Sequence, residues 1–483
     1  MKIAFLPPLV GAALAFQLPP QLRLPAFTAG IVSGVCLLLF RPRRVIVRFG
    51  RQTWTREEIC RHVLITGDTG SGKTTSGFHP LLVQLTRNEP SWGGLVLGVK
   101  GDEHRFIEEL FGAHGRSNDL IHLQIRPEHE SSSWRPPHRF NLIGDRSIPW
   151  MTHAKALVDI ATSMTEGRQS AFFRPMAQIA LARAFEMLDS LSLPVTLTRA
   201  YQLLTSPETA AKALKSLQRL PENPRHRDLI EFFSSTFVHA KAYEQREAVS
   251  GTIVTYLAYF LDPDIASVFS SDEPDTFSLS ELDSGAVITV TMPQRLVSER
   301  RYVQTYLKIL FYLHVLRRFD KSPAERRGEN LLLLIADEFQ DLVTASEDGI
   351  SDHKVVDRVR AANAAIIAGM QSELSADPAI GVQKREVLTL NMRSRIIFRA
   401  ADLKGANESA AFLGKRDRWR KSHSSRPWES VTTTKRKEEE FIVKPTRILR
   451  LADHTAVVAH PSKRHSIRQI KPIGGNGKVC RWF

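Results

Sequence analysis

Cysteine is scarce in this sequence. The 483 residues include three cysteines, Cys36, Cys60 and Cys480, and no two of them form a CxxC pair. This excludes a disulfide scaffold and a cysteine-based zinc site, and it favours a reducing compartment. An internal repeat is absent from the sequence too, and a content of 42% hydrophobic and 24% charged residues excludes wholesale disorder and fibrous classes. A chain of this length is expected to form roughly two or three domains.

Acidic residues are outnumbered by basic ones. The chain has 66 lysine and arginine residues against 51 aspartate and glutamate residues, a formal net charge of +15 at pH 7. A basic protein is attracted to polyanions, so nucleic acid and anionic membrane surfaces are the expected partners. Charge alone does not choose between them.

The amino end also lacks an uninterrupted apolar run of about 20 residues, the usual length of a membrane-spanning helix. Two shorter runs, 3–17 and 25–40, contain no charged residue. A cluster of arginines follows the second run: Arg41, Arg43, Arg44, Arg48 and Arg51. The two runs predict that residues 1–41 form an anchor of two transmembrane helices. Because a cluster of arginines stays on the cytoplasmic side of the membrane, the bulk of the chain is predicted to lie in the cytoplasm.

Two other interpretations of the amino end stay open. Residues 1–17 also suit a cleaved signal peptide that begins with the basic Lys2, which would place the rest of the chain outside the cytosol. Alternatively, residues 25–40 alone span the membrane and the first run lies at its surface.

The remaining sequence contains two patterns of apolar residues. Short apolar runs that suit buried strands occur at 42–66, 94–97, 286–292, 331–336 and 364–368. Between 151 and about 262, apolar residues recur instead at helical spacing, and strand signals almost vanish. Short strands that alternate with helices indicate an α/β fold with a parallel sheet, and the helical block is predicted to be inserted between two parts of that sheet.

The most specific motif follows the strand that ends at Thr66. Residues 67–74 read GDTGSGKT and match GxxxxGK[ST], a loop whose backbone N–H groups wrap a phosphate chain at the start of a helix. Lys73 is expected to reach the β- and γ-phosphates, and Thr74 to bind Mg²⁺. The predicted nucleotide-binding residues are consecutive: Gly67, Asp68, Thr69, Gly70, Ser71, Gly72, Lys73, Thr74 and Thr75.

A second, acidic element completes this chemistry. The apolar run 331–336 ends at Asp337 and Glu338, the pattern of a Walker B strand. Asp337 is expected to hold Mg²⁺ through its water shell, and Glu338 to orient and deprotonate the attacking water. This favours ATP hydrolysis over phosphoryl transfer to another acceptor. An acidic helix N-terminus is the alternative explanation of the same two residues.

Two single residues extend the predicted site. Gln371 follows the run 364–368 and suits a sensor of the γ-phosphate at the carboxyl edge of the sheet. Arg360 precedes it by eleven residues and suits an arginine finger that reaches a neighbouring subunit's phosphate. On local sequence alone, a surface glutamine and a solvated arginine are the ordinary interpretations.

The region after residue 415 is dense in arginine and lysine, with tryptophans among them. Arg416, Arg418, Trp419 and Arg420 combine positive charge with a ring that can stack on a base, so they are the predicted contacts to DNA, without base readout. A basic surface strip that faces solvent or anionic lipid is the other interpretation.

Together these motifs resemble the type IV secretion coupling proteins, the conjugative DNA-transfer ATPases of the VirD4/TraG/TraD family. The matching segments follow the apolar amino end in one order: GDTGSGKTT at 67–75, LVLGVKGDE at 95–103, RFNLI at 139–143, ADEF at 336–339 and LNMRSRIIFRAAD at 390–402. Where the family usually has an aspartate shortly before the Lys-Gly pair, this chain has Gly98.

The resemblance implies a RecA-like P-loop NTPase. It would be a homohexameric motor of the bacterial inner membrane that uses ATP and Mg²⁺, docks a relaxase–DNA complex and feeds DNA, with or without protein, to a type IV secretion channel. By the same match, the catalytic positions are Lys73, Glu338, Arg360 and Gln371, and the metal positions are Thr74 and Asp337. The implied domains are a membrane anchor (1–41), a nucleotide-binding domain in two parts (42–150 and 266–415), an all-helical domain (151–265) and a basic C-terminal segment that returns to the nucleotide-binding domain (416–483).

Two other functions suit part of the sequence. A DNA translocase of the FtsK/HerA type would have a long linker and a separate DNA-reading domain, and neither is visible in the sequence. A nucleotide-binding adaptor that recruits protein effectors without pumping DNA would not need Lys73 and Glu338. Stimulation of ATP hydrolysis by DNA distinguishes a motor from such an adaptor.

Overall fold

A computed structural model of the chain describes residues 44–99, 103–164, 173–238, 243–273, 275–346, 349–424 and 432–474. The predicted membrane anchor, residues 1–41, lies outside them. Within the described residues, no helix combines the length and the apolar character that a membrane crossing requires.

In the part of the chain that the structure describes, the strands build one large sheet and two small ones. In chain order they are β1 (Val45–Phe49), β2 (Gln52–Thr55), β3 (Val63–Thr66), β4 (Gly93–Leu97), β5 (Leu120–Gln124), β6 (Val287–Thr291), β7 (Leu332–Ala336), β8 (Ala364–Met370), β9 (Ser394–Ile397), β10 (Lys415–Ser424), β11 (Thr432–Phe441), β12 (Thr455–Ala459) and β13 (Ser466–Gln469). The large sheet has nine strands in the order β13-β12-β9-β3-β8-β7-β4-β6-β5. The run from β9 to β5 is parallel, and β12 pairs in antiparallel fashion with both of its neighbours, β9 and β13. The predicted α/β fold with a parallel-rich sheet is therefore confirmed.

The helices cover the sheet and fill the block between β5 and β6. They are α1 (Arg56–Ile59), α2 (His79–Asn88), α3 (Glu103–Ala113), α4 (Trp150–Met164), α5 (Phe173–Ser190), α6 (Leu197–Thr205), α7 (Pro207–Leu217), α8 (Pro224–Phe233), α9 (Tyr243–Leu257), α10 (Pro263–Phe269), α11 (Val297–Leu316), α12 (Pro323–Gly328), α13 (Asp352–Ala361), α14 (Asp377–Ile380), α15 (Val382–Asn391), α16 (Leu403–Leu413) and α17 (Pro445–Leu449). The central strands β7 and β8 are buried along their whole length, which is the pattern of a parallel sheet covered on both faces.

The chain leaves the sheet to form the helical block, α4 to α10, and returns to the sheet beside the point where it left. The chain that enters the block runs beside the chain that leaves it: the N–H of Phe140 donates to the carbonyl of Val268 at 2.7 Å, and the N–H of Leu142 to that of Phe269 at 3.2 Å. In the described residues between β5 and β6, every regular element is helical.

Helix α11 connects the block to the sheet. It is buried over most of its length and packs against α4 on one side and against β4 and β7 on the other. Although it carries polar residues such as Gln304 and Lys308, the helix is buried on nearly all sides, as expected of a helix in the interior of a large domain. One continuous hydrophobic core therefore spans the sheet and the helical block.

The prediction of strands throughout 42–66 is wrong for one segment. Arg56–Ile59 forms the short helix α1, because Thr55 and Glu58 make a capping box. The Thr55 hydroxyl accepts from the N–H of Glu58, and the Glu58 carboxylate accepts from the N–H of Thr55 at 2.9 Å. The spacing Thr-x-x-Glu is the sequence signal for this start. The apolar patterns also miss β5, β9, β12 and β13.

The basic region after residue 415 begins as a β-ribbon made of β10 and β11. The strands are antiparallel, with Lys415 opposite Phe441 at one end and Ser424 opposite Thr432 at the other. Ten residues in each strand give a length of about 33 Å. The ribbon pairs with no other strand of the described residues, and the chain then returns through α17 to the edge strands β12 and β13.

Candidate active site

The loop after β3 forms the floor of the candidate site. In this loop Gly72 has φ 106°, and a Cβ there would lie 2.8 Å from Nδ1 of His454. A Cβ on Gly67 would lie 2.6 Å from Cβ of Phe398. Both positions require glycine, the first for its backbone conformation and the second for the close approach of β9. Thr69 and Gly70 form the exposed tip of the loop.

The side chain of Lys73 folds back into the loop. It is 8% exposed, and its Nζ donates to the carbonyl oxygens of Gly67 at 2.8 Å and Asp68 at 3.2 Å. Ser71 is buried and donates from Oγ to the same carbonyl of Asp68 at 2.7 Å. An anion that replaces the neutral carbonyls would make stronger, charge-assisted hydrogen bonds with the ammonium. The loop thus surrounds the ammonium group of Lys73, which can bind a phosphate in place of the two carbonyls.

The sheet brings Thr74 and Asp337 together. Lys73 begins a π-helical turn that runs into α2, and the Thr74 hydroxyl on this turn lies 3.4 Å from Oδ2 of Asp337. Asp337 follows β7, its side chain is buried, and its N–H donates to the carbonyl of Leu97 at 3.1 Å. The strand β8 lies between β3 and β7, and the parallel register brings the carboxyl ends of all three to one edge.

Glu338 holds an unusual backbone conformation. Its φ is 51°, in the left-handed region that residues other than glycine and asparagine rarely adopt. The N–H of Glu338 donates to Oδ1 of Asp337 at 3.0 Å, and Gln340 donates to the Glu338 carboxylate at 2.8 Å. Burial and the negative charge of Glu338 raise the pKa of Asp341. Local strain at the end of a buried strand is common at functional sites, because the surrounding fold must maintain it.

The donor set suits magnesium. A hydroxyl from Thr74 and a carboxylate from Asp337 are hard oxygen ligands. Among the described residues, no group of three or more His, Cys, Asp or Glu side chains is arranged to hold a metal. Mg²⁺ is usually held by one or two protein oxygens together with substrate phosphates and water, so this sparse site fits it.

The structure separates the two predicted accessory residues. Gln371 follows β8, and its carbonyl accepts from the N–H of Gly67 at 3.3 Å, so it lies beside the phosphate loop with its side chain exposed. Arg360 is exposed in the last turn of α13, where its charge acts on buried Cys60 and His62. Cys60 and His62 precede β3 in the chain, whereas the phosphate loop follows that strand. Arg360 therefore lies at the opposite edge of the sheet from the phosphate loop of its own chain.

The carboxylate of Glu103 occupies the space beside Gly98, which has no side chain. The position directly after β4 carries no side chain, but a Cβ built on Gly98 would overlap the carboxylate of Glu103. Glu103 lines a cavity of about 450 Å³ together with Thr74 and Asp337. The glutamate on α3 thus places a carboxylate at the end of β4, although residue 98 has none. The sequence gives no local signal of this contact, which depends on how α3 packs against β4.

Arg399 is the residue beside the loop that the sequence patterns do not single out. It follows β9, and its guanidinium bridges Asp68 (Nε to Oδ2, 3.1 Å) and Asp453 (Nη1 to Oδ1, 2.7 Å). The next residue, His454, donates from its N–H to the carbonyl of Ser71 at 2.9 Å. A polar residue at the carboxyl end of a buried strand is the signal that predicts Asp337 and Gln371, and Arg399 follows β9 with only the buried Phe398 between them.

The predicted DNA contacts lie on the ribbon. Trp419 is 64% exposed. Arg418 pairs with Glu440 at 3.0 Å, and Arg420 pairs with Glu438 at 3.0 Å. Arg416 lines a surface cavity of about 540 Å³ at the base of the ribbon, whose other basic side chains are Arg418, Lys444, Arg447 and Arg450. Acidic partners on β11 thus offset part of the positive charge that the β10 sequence displays.

A family model described as the type IV secretion-system coupling protein DNA-binding domain matches residues 151–470, more than half of the chain. No curated protein sequence matches the chain.

Solved structures of similar fold include plasmid coupling protein TrwB in complex with a non-hydrolysable ATP analogue. The TM-score is 0.63 at 18% identity, over 91% of this chain and 92% of that one. TrwB in complex with ADP and Mg²⁺ gives a TM-score of 0.60 at 18% identity with the same coverage. VirB4 of Thermoanaerobacter pseudethanolicus gives 0.51 at 11% identity, over 85% of this chain and 89% of that one. At such identities the likeness establishes a common fold.

Proposed function

Because this chain belongs to the type IV secretion-system coupling proteins, we propose that it is an ATP-driven motor that recruits relaxase-bound DNA and delivers it, with or without protein, to a type IV secretion channel. The observation that carries this proposal is the approach of Thr74 to Asp337, whose side-chain oxygens lie 3.4 Å apart across 263 residues of sequence. A phosphate loop and an acidic strand end in this relation are the two halves of an NTPase site.

Four side chains perform the hydrolysis in this proposal. Lys73 exchanges the carbonyls of Gly67 and Asp68 for the β- and γ-phosphate oxygens of ATP. Glu338 accepts a proton from the attacking water while the water oxygen bonds to the γ-phosphorus and the bond to the ADP oxygen breaks. Mg²⁺ held by Thr74 and Asp337 would supply the positive charge that neutralises the phosphates. The ADP and Mg²⁺ in TrwB support this choice of ligands.

The proposed assembly is a homohexamer in which Arg360 acts on a neighbouring subunit. Its position supports this, because the sheet separates Arg360 from the phosphate loop of its own chain, whereas its side chain is exposed. An exposed arginine at the far edge can serve the site of the next subunit in a ring and stabilise the charge of the transition state there. Gln371, beside the loop, would act within its own subunit as the sensor.

The proposed location is the bacterial inner membrane, with the bulk of the chain in the cytoplasm. The support comes from the sequence: two apolar runs, 3–17 and 25–40, and the arginines that follow them. ATP is available on that side of the membrane, which agrees with the direction that the arginines predict.

DNA binding is proposed for the ribbon and is independent of base sequence. The description of the matching family model as a DNA-binding domain supports DNA as the polyanion, and the match includes the ribbon. Arg416, Arg418, Trp419 and Arg420 provide cations for phosphates and one exposed ring for stacking on a base.

The test is ATP hydrolysis by the full-length protein in lipid nanodiscs, with and without single-stranded DNA. The motor predicts hydrolysis that DNA stimulates and that Glu338→Gln removes. Glu386→Gln, a change of an exposed glutamate on α15, is the matched control and should leave hydrolysis unchanged. Hydrolysis that is absent under all conditions, or protein substrates that bind while DNA has no effect, would favour the adaptor instead.

A further inference from the structure

Arg399 is held next to the phosphate loop by the backbone of the sheet. Strand β9 pairs in parallel with β3, with Ile397 opposite Thr66. The pairing continues past the strand ends, since the N–H of Phe398 donates to the carbonyl of Thr66 at 2.8 Å and the N–H of Asp68 to that of Arg399 at 2.7 Å. The backbone of Arg399 is therefore fixed beside the second residue of the loop.

The side chain of Arg399 is less constrained than its backbone. Its guanidinium is 31% exposed and pairs with Asp68, which is 25% exposed, and with Asp453, which is 57% exposed. Ion pairs that water reaches this freely contribute little to stability. Stability alone therefore gives no strong reason for an arginine at this position.

Both cations beside the loop are bound to oxygens of the protein itself. Lys73 donates to the carbonyls of Gly67 and Asp68. Arg399 donates to the carboxylates of Asp68 and Asp453. A nucleoside triphosphate carries several negative charges, whereas each carboxylate carries one, and its oxygens match the planar fork of a guanidinium. Phosphates in the loop would therefore compete with both carboxylates for Arg399.

We propose that Arg399 is a further nucleotide-binding residue of its own subunit, whose guanidinium exchanges Asp68 and Asp453 for phosphate oxygens when a nucleotide occupies the loop. The proposal rests on the proposed function as an NTPase. It gives the site two arginines with different tasks: Arg399 binds phosphate within the subunit, and Arg360 serves the neighbouring one.

A purely structural role for Arg399 makes a different prediction. In that case the guanidinium would tie the loop to the segment before β12, and its two carboxylate partners would be as important as the arginine itself. If Arg399 binds phosphate, the same carboxylates are competitors, and removing the charge of one of them should not weaken nucleotide binding. The sign of the effect at Asp453 separates the two roles.

The experiment measures the dissociation constant of a fluorescent ATP analogue and its ADP counterpart, with Mg²⁺, for the full-length protein in nanodiscs. Arg399→Gln should weaken binding of the ATP analogue by about tenfold, equivalent to about 1.4 kcal/mol. Arg399→Lys should lose less, because it keeps the charge without the fork. Asp453→Asn should bind the nucleotide as tightly as the unmodified protein or more tightly.

Two results would overturn the inference. One is binding by Arg399→Gln within twofold of the unmodified protein. The other is a weakening by Asp453→Asn that equals the weakening by Arg399→Gln. Thermal unfolding midpoints of all three variants show whether each is folded. Failure of the unmodified protein to bind any nucleotide would instead contradict the proposed function, so the two failures are distinguishable.

Discussion

Nζ of Lys308 lies 2.6 Å from Oδ2 of Asp352, and neither side chain is exposed to solvent. The ammonium also donates to the carbonyl of Leu342. The Asp352 carboxylate further accepts from the Tyr312 hydroxyl at 2.6 Å and from the N–H of Thr344 at 2.7 Å. This network joins α11, the segment that follows Glu338 and the start of the helix that carries Arg360.

Removing the Lys308 charge alone should be strongly destabilising. Lys308→Met leaves the Asp352 carboxylate buried without a cation, which is expected to cost about 3–5 kcal/mol of unfolding free energy. Lys308→Met combined with Asp352→Asn should recover much of the loss, since the neutral amide oxygen still accepts from the N–H of Thr344 and its NH2 group can donate to the Tyr312 hydroxyl. Urea unfolding midpoints measure both variants. An equal loss in the single and the double variant would show that the unpaired charge is not the cause.

His62 predicts a loss of stability in mild acid. Its Nδ1 accepts from the N–H of Ile366 at 3.0 Å, so its Nε2 must carry the proton and donate to the carbonyl of Val356 at 2.7 Å. Burial, aided by the charge of Arg360, lowers the pKa of His62 to about 4, from 6.5. The unfolded chain therefore binds this proton first, and stability that is complete above pH 6.5 is lost as the pH falls towards 4.

The expected slope from His62 is about 1.4 kcal/mol per pH unit between those values. His62→Gln keeps a donor and an acceptor but does not titrate, so its unfolding midpoint should depend less on pH from 7 to 5. His129→Gln, at a histidine whose side chain is 81% exposed, is the control and should retain the slope of the unmodified protein. The same slope in all three proteins would contradict the assignment.

A mixing experiment tests whether Arg360 acts between subunits. Arg360→Ala and Glu338→Gln should each reduce ATP hydrolysis by a factor on the order of 10³. An equal mixture of the two variants should recover about a quarter of the unmodified rate, because about a quarter of the sites then combine an intact Glu338 with an intact neighbouring Arg360. No recovery, once exchange of subunits is shown by labelled protein, would place the arginine within its own subunit.

The ribbon should bind DNA more tightly when its acidic side chains are removed. Glu440→Gln releases Arg418 and Lys444 from their ion pairs, so affinity for single-stranded DNA should rise and the salt dependence should steepen by about one to two released counterions. Trp419→Ala should weaken binding by about 1–3 kcal/mol if the ring stacks on a base. Fluorescence anisotropy over a salt series measures both effects. Unchanged binding in both variants would exclude the ribbon.

Transfer in cells should require the chemistry of the site and not merely the presence of the protein. Lys73→Ala and Glu338→Gln are expected to abolish delivery of DNA to recipient cells while leaving membrane insertion intact, because neither residue lies in the predicted anchor. Transfer frequency and membrane fractionation are the two measurements. Normal transfer by either variant would contradict the motor.

The parts of the fold that the sequence predicts are those with a local pattern. The buried strands β7 and β8 are continuous apolar runs, and the helical block repeats apolar residues at helical spacing, so both are visible in short windows. Strands β12 and β13 at the edge of the sheet are short and antiparallel, and the ribbon consists largely of charged residues. Such strands depend on long-range pairing and on ion pairs, which no short window contains.

The sequence by itself determined the chemistry of the phosphate loop and of the acid pair, because each motif is a run of neighbours whose meaning lies in its own spacing. The tertiary structure alone decided which distant residues meet. In the folded chain Thr74 lies next to Asp337, and the carboxylate of Glu103 occupies the space beside Gly98. Arg399 lies next to Asp68, and Arg360 lies at the opposite edge of the sheet from the phosphate loop. The reason is physical: the order and register of parallel strands follow from packing the whole core, and they bring together residues that no local interaction connects.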